Sequence, residues 1–155
     1  MTWRELKTWL YRGQRPNALA RALNRGWATL HALGIAPNHL VTLQVVGRRS
    51  GRPISFPLVM ALLDGERYLV SMLGADVAWV RNLQAAGGQA LLRHGPSERV
   101  RLEEVAPEER APVLKAYLKR APGARPHIPV DKDAPLHEFE GIAARIPVFR
   151  VVAAD

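Results

Sequence analysis

The sequence predicts an α+β fold: a small β-barrel of about six mostly antiparallel strands, with two N-terminal helices and peripheral helices outside it. Three observations carry this. Short β-branched apolar runs recur along the chain, separated by Gly, Pro and Asp-Gly turns. The element pattern αα-βββ-α-ββ-α-α-β lacks the regular βαβ alternation of a parallel sheet. Sheets of this kind with short turns protect their edges by closing into barrels.

The elements follow in order. Residues 3–12 and 17–34 read as helices; in the second, Leu19, Leu23, Trp27 and Leu30 recur at helical spacing. Asn17 is the expected N-cap, and Gly34 and Pro37 end the segment. The period then changes. Leu40–Val46 (LVTLQVV) is a strand, GRRSGR a loop and Ile54–Leu63 a second strand. Pro57 inside it implies an edge position or a bulge. Asp64-Gly65 is a hairpin turn into a third strand, Arg67–Met72. Asp76–Ala86 reads as a short helix capped by Asp76, with Val77, Val80, Leu83 and Gln84 on one face. Gly87-Gly88 stop it. Gln89–Arg93 and Glu98–Val105 are strands joined by HGPS. Pro107 starts a helix that runs to about Arg120, with Glu108 and Glu109 in its first turn. The proline-rich stretch Ala121–Val130 resists regular helix. Asp133 and Pro135 open a last helix to about Arg145, and Val148–Val152 is the sixth strand. No internal repeat and no linker divides the 155 residues, so one domain is expected: helices over 1–37, barrel over 38–155.

Composition narrows the function. There is no cysteine, hence no disulfide framework and no thiolate metal site. No apolar run reaches the length of a membrane span, and the N-terminus lacks the apolar core of a signal peptide. A soluble cytoplasmic protein is expected. The net charge is +8, and its placement is uneven. The first 60 residues hold nine Lys/Arg against one acid, Glu5, while the remainder balances to zero. Such asymmetry suits an anionic partner. Base-stacking aromatics are not interleaved with the arginines, which argues against nucleic acid. The helix bearing Trp3, Leu6, Trp9 and Leu10 has the make-up of a weak contact with an anionic lipid surface, although packing on the barrel is favoured.

The P-loop, dinucleotide-binding, zincin and nucleophile-elbow motifs are absent. The five histidines share no metal-ligand spacing, so structural roles are favoured for them. The loop Gly47–Arg52 stands apart. Arg48, Arg49 and Arg52 offer forked donors to phosphate or carboxylate oxygens, and Ser50 adds a hydroxyl. Flanking glycines let the backbone turn, and no acid neutralises the cluster, so anion binding is favoured over a solubilising turn. A second candidate is Ser71–Leu83 (SMLGADVAWVRNL), a strand running into a helix. Gly74 permits close approach of a flat ligand, Trp79 could wall a ring and Asn82 could donate to it. Taken alone, Trp79 is better read as core.

Together, LVTLQVVGRRSGRPISFPLVMALLDGERYLVS and GADVAWVRNLQAAGG resemble the deazaflavin-dependent nitroreductase family, which uses coenzyme F420. The resemblance is close over residues 38–95 and looser beyond. It implies a split β-barrel like that of FMN-binding reductases, with a groove for the deazaflavin and its phosphate and oligoglutamate tail. Carried over by position, Arg48, Arg49, Ser50 and Arg52 would grip the tail. Pro57 and the strand after it would border the cofactor. Ser71, Met72, Leu73 and Gly74 would meet the ring or ribityl region, with Trp79 and Asn82 near the ring and substrate pocket. The family often has Ser-Lys-Gly-Gly where this chain has Ser71-Met72-Leu73-Gly74, so a charge is lost and a leucine replaces a glycine. The pocket tyrosines of the type enzyme have no clear counterparts in ARPHIPVDKDAPLHEF. The implied activity is hydride transfer between the cofactor and an electrophilic small molecule: an activated alkene, quinone or nitro compound. No catalytic dyad or triad is visible; His127 or Tyr117 are the candidate proton donors. The alternatives are an FMN-binding reductase of the same fold and a non-catalytic cofactor-binding protein.

Overall fold

The computed structural model describes residues 39–154. The expected helices over 3–12 and 17–34, the Asn17 cap and the Trp3 face lie outside the described residues. Strands β1 (Leu40–Val46), β2 (Pro53–Leu63) and β3 (Glu66–Val70) form the expected meander. The Asp64-Gly65 turn has φ of 50° and 78°, the paired left-handed residues a tight hairpin requires. Strands β4 (Gln89–Arg93), β5 (Ser97–Glu104) and β6 (Val148–Ala153) complete a closed barrel in the order β1-β2-β3-β6-β5-β4. All six neighbouring pairs are antiparallel.

Alternation along the strands sorts two cores. Val41, Leu43, Val45, Met60, Leu69, Leu92, Val100, Phe149 and Val151 fill the barrel. Their neighbours Leu40, Val59, Ala61, Val70 and Val148 belong to a second cluster outside it. That layer is covered by helix α2 (Ala111–Arg120) and helix α3 (Leu136–Glu140), through Leu114, Tyr117, Leu118 and Phe139. Apolar faces on both sides explain why these strands read as nearly continuous apolar runs rather than strict alternation.

Helix α1 (Ala78–Ala85) is shorter than expected. Val77, not Asp76, occupies its N-cap position, and no side chain caps it. Asp76 instead pairs with Arg81 on the exposed side. Asn82 joins Val80 and Leu83 on the buried face, whereas Gln84 is exposed. The Pro107 helix also differs: Pro107–Glu109 is a single 3-10 turn, and α2 restarts at Ala111. Pro112 supplies the reason. In a helix begun at Pro107 its ring would meet the carbonyl of Glu108 and remove an interior hydrogen bond; at the start of α2 neither matters. The last predicted helix is broken into α3 and a 3-10 turn over Ala143–Arg145. The proline-rich stretch forms 3-10 turns over Pro122–His127.

One buried cation ties these connections together. Arg110 is 5% exposed. Its Nε donates to the Val105 carbonyl at 2.7 Å, and its Nη1 to the carbonyls of Ala143 at 3.0 Å and Ile146 at 3.3 Å. Its Nη2 reaches Glu104 at 3.3 Å.

The registers place the predicted site stretches. Val46 faces Pro53 at the β1–β2 connection, and Val70 faces Val148 where β3 meets β6. Antiparallel alternation therefore brings loop 47–52, turn 71–74 and residues 145–147 to one end of the barrel. Helix α1 joins β3 to β4 at that end, with Val80 and Leu83 in the interior cluster.

Candidate anion clamp and apolar groove

Loop 47–52 is held from three sides. Gly47 N–H donates to the Arg52 carbonyl at 2.7 Å, and Gly51 N–H to the Gly47 carbonyl at 2.9 Å. The Ser50 hydroxyl accepts from the Arg52 N–H at 3.2 Å, which leaves its own O–H proton for a ligand. A Cβ at Gly47 would stand 2.7 Å from Ser50 Oγ, so only glycine closes this turn without displacement. Gly51 takes φ of 69°. The third support comes from α1. The Asn82 side-chain oxygen accepts both the Arg48 N–H at 3.1 Å and Arg48 Nη1 at 2.7 Å. Asn82 itself is 4% exposed.

The Asn82 oxygen thus serves the loop as an acceptor, a contact the sequence did not indicate. Arg48 is partly engaged by it. Arg49 and Arg52 are exposed and form no ion pair among the described residues. They are the open donors of the loop.

Pro57 lies in the half of β2 that pairs with β1, opposite Thr42. Strand β3 pairs only with Met60–Leu63, so residues 53–59 present an edge on that side among the described strands. The expected edge position is where a proline, lacking its N–H, disturbs no ladder. Seven strand residues span roughly 20 Å, and they run from the loop toward the end of β3.

The Ser71–Gly74 turn divides in function. Ser71 is buried; its N–H donates to the Pro147 carbonyl at 3.0 Å and its hydroxyl to the Gly74 carbonyl at 2.5 Å. It closes the turn. Gly74 has φ of 96°. Met72, Leu73 and Gly74 line a groove of about 280 Å³ with His127, Pro129, Arg145 and Ile146. Leu73 is 61% exposed on its wall. Sequence reasoning singled out the first three and His127 but missed Arg145, because nothing in the last helical pattern marks one cation as facing a groove. Arg145 is exposed and unpaired among the described residues, and its backbone belongs to the turn that Arg110 holds.

Trp79 packs against Phe56 and Phe149, each with ring centroids 5.6 Å apart, and joins the interior cluster while partly buried. The reading of Trp79 as core is the one this packing supports. Tyr117 is 4% exposed within the outer cluster, and burial pushes its hydroxyl well above the ordinary tyrosine range. It lines neither site, which removes it as a proton donor. His39 and His94 sit at the opposite barrel end; burial first, then Arg120 and His94, lower the His39 pKa. A cleft of about 340 Å³ on the outer sheet face, walled by Tyr68, Glu103, Glu109 and Arg150, contains no residue predicted for the site. No cluster with metal-ligand geometry occurs among the described residues. No helix among them is long and apolar enough to cross a membrane.

No protein-family model and no curated protein matches the chain. Solved structures do. Protein Atu2129 of Agrobacterium tumefaciens, of unknown function, is similar with a TM-score of 0.57 at 12% identity, over 83% of this chain and 55% of that chain. An F420-H2 dependent reductase, FDR-A, is similar with a TM-score of 0.50 at 23% identity, over 74% of this chain and 94% of that chain. A heme binding protein from Mycobacterium smegmatis has a TM-score of 0.51 at 17% identity, over 88% of this chain and 51% of that chain. The chain thus spans about half the length of the first and third. At such identities the likeness establishes the fold: a closed six-stranded antiparallel barrel with peripheral helices, the α+β split-barrel architecture.

Proposed function

We propose that the protein is a deazaflavin-dependent oxidoreductase, which binds coenzyme F420 and passes a hydride to an electrophilic small molecule. The observation that carries this reading is the pairing, at one barrel end, of an acid-free arginine loop with an apolar groove. A phosphate and oligoglutamate tail needs several cationic donors; Arg49, Arg52, Ser50 and part of Arg48 supply them. A flat ring needs apolar walls and close backbone approach; Met72, Leu73 and Gly74 supply those. The β2 residues from Pro53 to Val59, unpaired on the β3 side among the described strands, run from the loop toward the end of β3. The likeness in fold to an F420-H2 dependent reductase agrees with this assignment.

When bound, the reduced cofactor supplies the hydride. The chain's part is to bind, orient and exclude water. Loop 47–52 fixes the charged end, Trp79 with Phe56 and Phe149 seals the barrel beneath, and Arg145 meets negative charge developing on the acceptor. His127 stands on the groove wall and would be the group to deliver a proton to the reduced product.

One observation favours FMN as a second reading. With Arg48 tied to Asn82, two open guanidiniums suffice for a single phosphate. Parallel titrations of F420 and FMN into the protein, followed by tryptophan fluorescence, separate the two. Tighter F420 binding is expected, with Arg49→Ala and Arg52→Ala each weakening it about tenfold, more at low salt. Equal or tighter FMN binding, or unchanged F420 affinity in both variants, refutes the assignment.

A further inference from the structure

We infer that Asn82 is the positioning residue of the anion clamp. It presets Arg48 from helix α1, so that the loop meets its ligand as a formed concavity rather than an arginine-rich flexible turn. This rests on the proposed function only in the identity of the natural ligand; the clamp itself requires no more than an anion.

The argument begins with the chemistry of the two partners. Asn82 is neutral, buried at 4% exposure and carried by a helix whose Val80 and Leu83 are locked in the barrel interior. Its position is therefore as rigid as the core. Arg48 is an exposed residue of a polar loop. Left alone, its long side chain would sample many rotamers, and ordering it on binding would cost affinity. The Asn82 oxygen removes that freedom twice over. The bond to the Arg48 N–H at 3.1 Å fixes the backbone at the head of the loop, and the bond to Nη1 at 2.7 Å fixes the guanidinium. An asparagine does this where an aspartate would not serve as well: it accepts both bonds without cancelling the positive charge of Arg48. Guanidinium has five N–H donors, so one bond to Asn82 leaves the rest of the fork for a ligand.

The remaining loop bonds continue the same order. Gly51 N–H to the Gly47 carbonyl and Arg52 N–H to Ser50 Oγ pass the anchored geometry from Arg48 to Arg52. Arg49 and Arg52 then project from a backbone that is already closed. The same helix follows the Ser71–Gly74 turn along the chain.

The test is a double-mutant cycle on the full-length protein, with Arg48→Ala, Asn82→Ala and the pair, and two probes: F420 and inorganic pyrophosphate. Asn82→Ala is expected to weaken both probes about fivefold to tenfold. In the Arg48→Ala background it should add less than about twofold, because its effect passes through Arg48. Asn82→Asp is the conservative check. It keeps both acceptor contacts, while its added negative charge weakens the anion and flattens the salt dependence. Circular dichroism confirms that each variant is folded; if Asn82→Ala is not, the Asn82→Asp and Arg48→Ala measurements decide alone. Effects of Asn82 and Arg48 that multiply independently overturn the inference, as does an Asn82→Asp variant with unchanged anion affinity and salt dependence. Wild-type protein that binds pyrophosphate but neither F420 nor FMN refutes the proposed function, and the cycle with pyrophosphate still judges the lock. Wild-type protein that binds no anion overturns both.

Discussion

Replacing Arg110 with methionine tests how the loops at the site end are held. Methionine keeps most of the aliphatic stem and removes every donor. The carbonyls of Val105 and Ile146 then lose their partner, the Ala143 carbonyl keeps only the Ile146 N–H at 3.3 Å, and one contact to the Glu104 carboxylate is lost. Each carbonyl bond is worth about 1 kcal/mol net, and an orphaned buried acceptor loses more. Against this, a charge that is 5% exposed no longer has to be desolvated, which returns part of the loss. The balance is a destabilisation of about 2–3 kcal/mol. For a chain of 155 residues that corresponds to a fall in Tm of roughly 5–10 °C. Urea unfolding followed by circular dichroism reads it as a shift of midpoint at constant slope. Arg110→Lys, with one ammonium to share among the same carbonyls, should fall between the two. A loss below about 0.5 kcal/mol for Arg110→Met would refute the view that this cation staples the 143–146 turn to the start of α2.

Gly51→Ala should cost about 1–2 kcal/mol, since φ of 69° penalises a Cβ even though nothing lies within 4 Å of it; Gly51→Asn should cost less, and denaturant midpoints of the two rank them. Leu114→Ala, at 0% exposure in the outer cluster, should destabilise by about 2–5 kcal/mol, and a loss under 1 kcal/mol in the same assay would mean that α2 is a loosely held cover. Glu98 is hydrogen-bonded by both terminal nitrogens of Arg67, at 2.8 and 3.2 Å, which holds its carboxyl below the ordinary value of 4.5. Its stabilising effect is therefore present above pH 4.5 and is lost as pH falls through the lower folded-state value. With the pair partly exposed, Arg67→Met should lose only about 0.5 kcal/mol at pH 7, and the gap from wild type should close as Glu98 protonates in acid; a gap that does not narrow on acidification would contradict the pairing.

The strands were legible because each carries its own signal. Leu40–Val46 is rich in β-branched residues, Asp64-Gly65 favours a tight turn, and the HGPS segment separates a short apolar run from one that alternates charged and apolar residues. Helix ends were less so. Asp76 has the chemistry of a cap, yet the helix starts later and Asp76 finds Arg81 instead. Pro112 was legible in principle as the point where the Pro107 helix must restart, and the competing signal of two first-turn glutamates masked it. At the site, the arginine loop announced itself through unpaired charge. Arg145 did not, since an exposed arginine beside a groove and one beside solvent are the same letter.

By itself, the sequence determined the strand set, the two-residue hairpin and the arginine loop, because those depend on backbone propensity and on charges close along the chain; the third strand, expected to reach Met72, ends at Val70 and gives way to the Ser71–Gly74 turn. Only the tertiary structure decided that β3 pairs with β6 and β1 with β4, which closes the barrel and gathers loop 47–52, turn 71–74 and Arg145 at one end. Only it decided that Asn82 serves Arg48 from 34 residues away and that Tyr117 is sealed in the outer core. Hydrogen-bond partners and burial are set by distances between segments far apart in the chain, and those distances exist only once the barrel has closed.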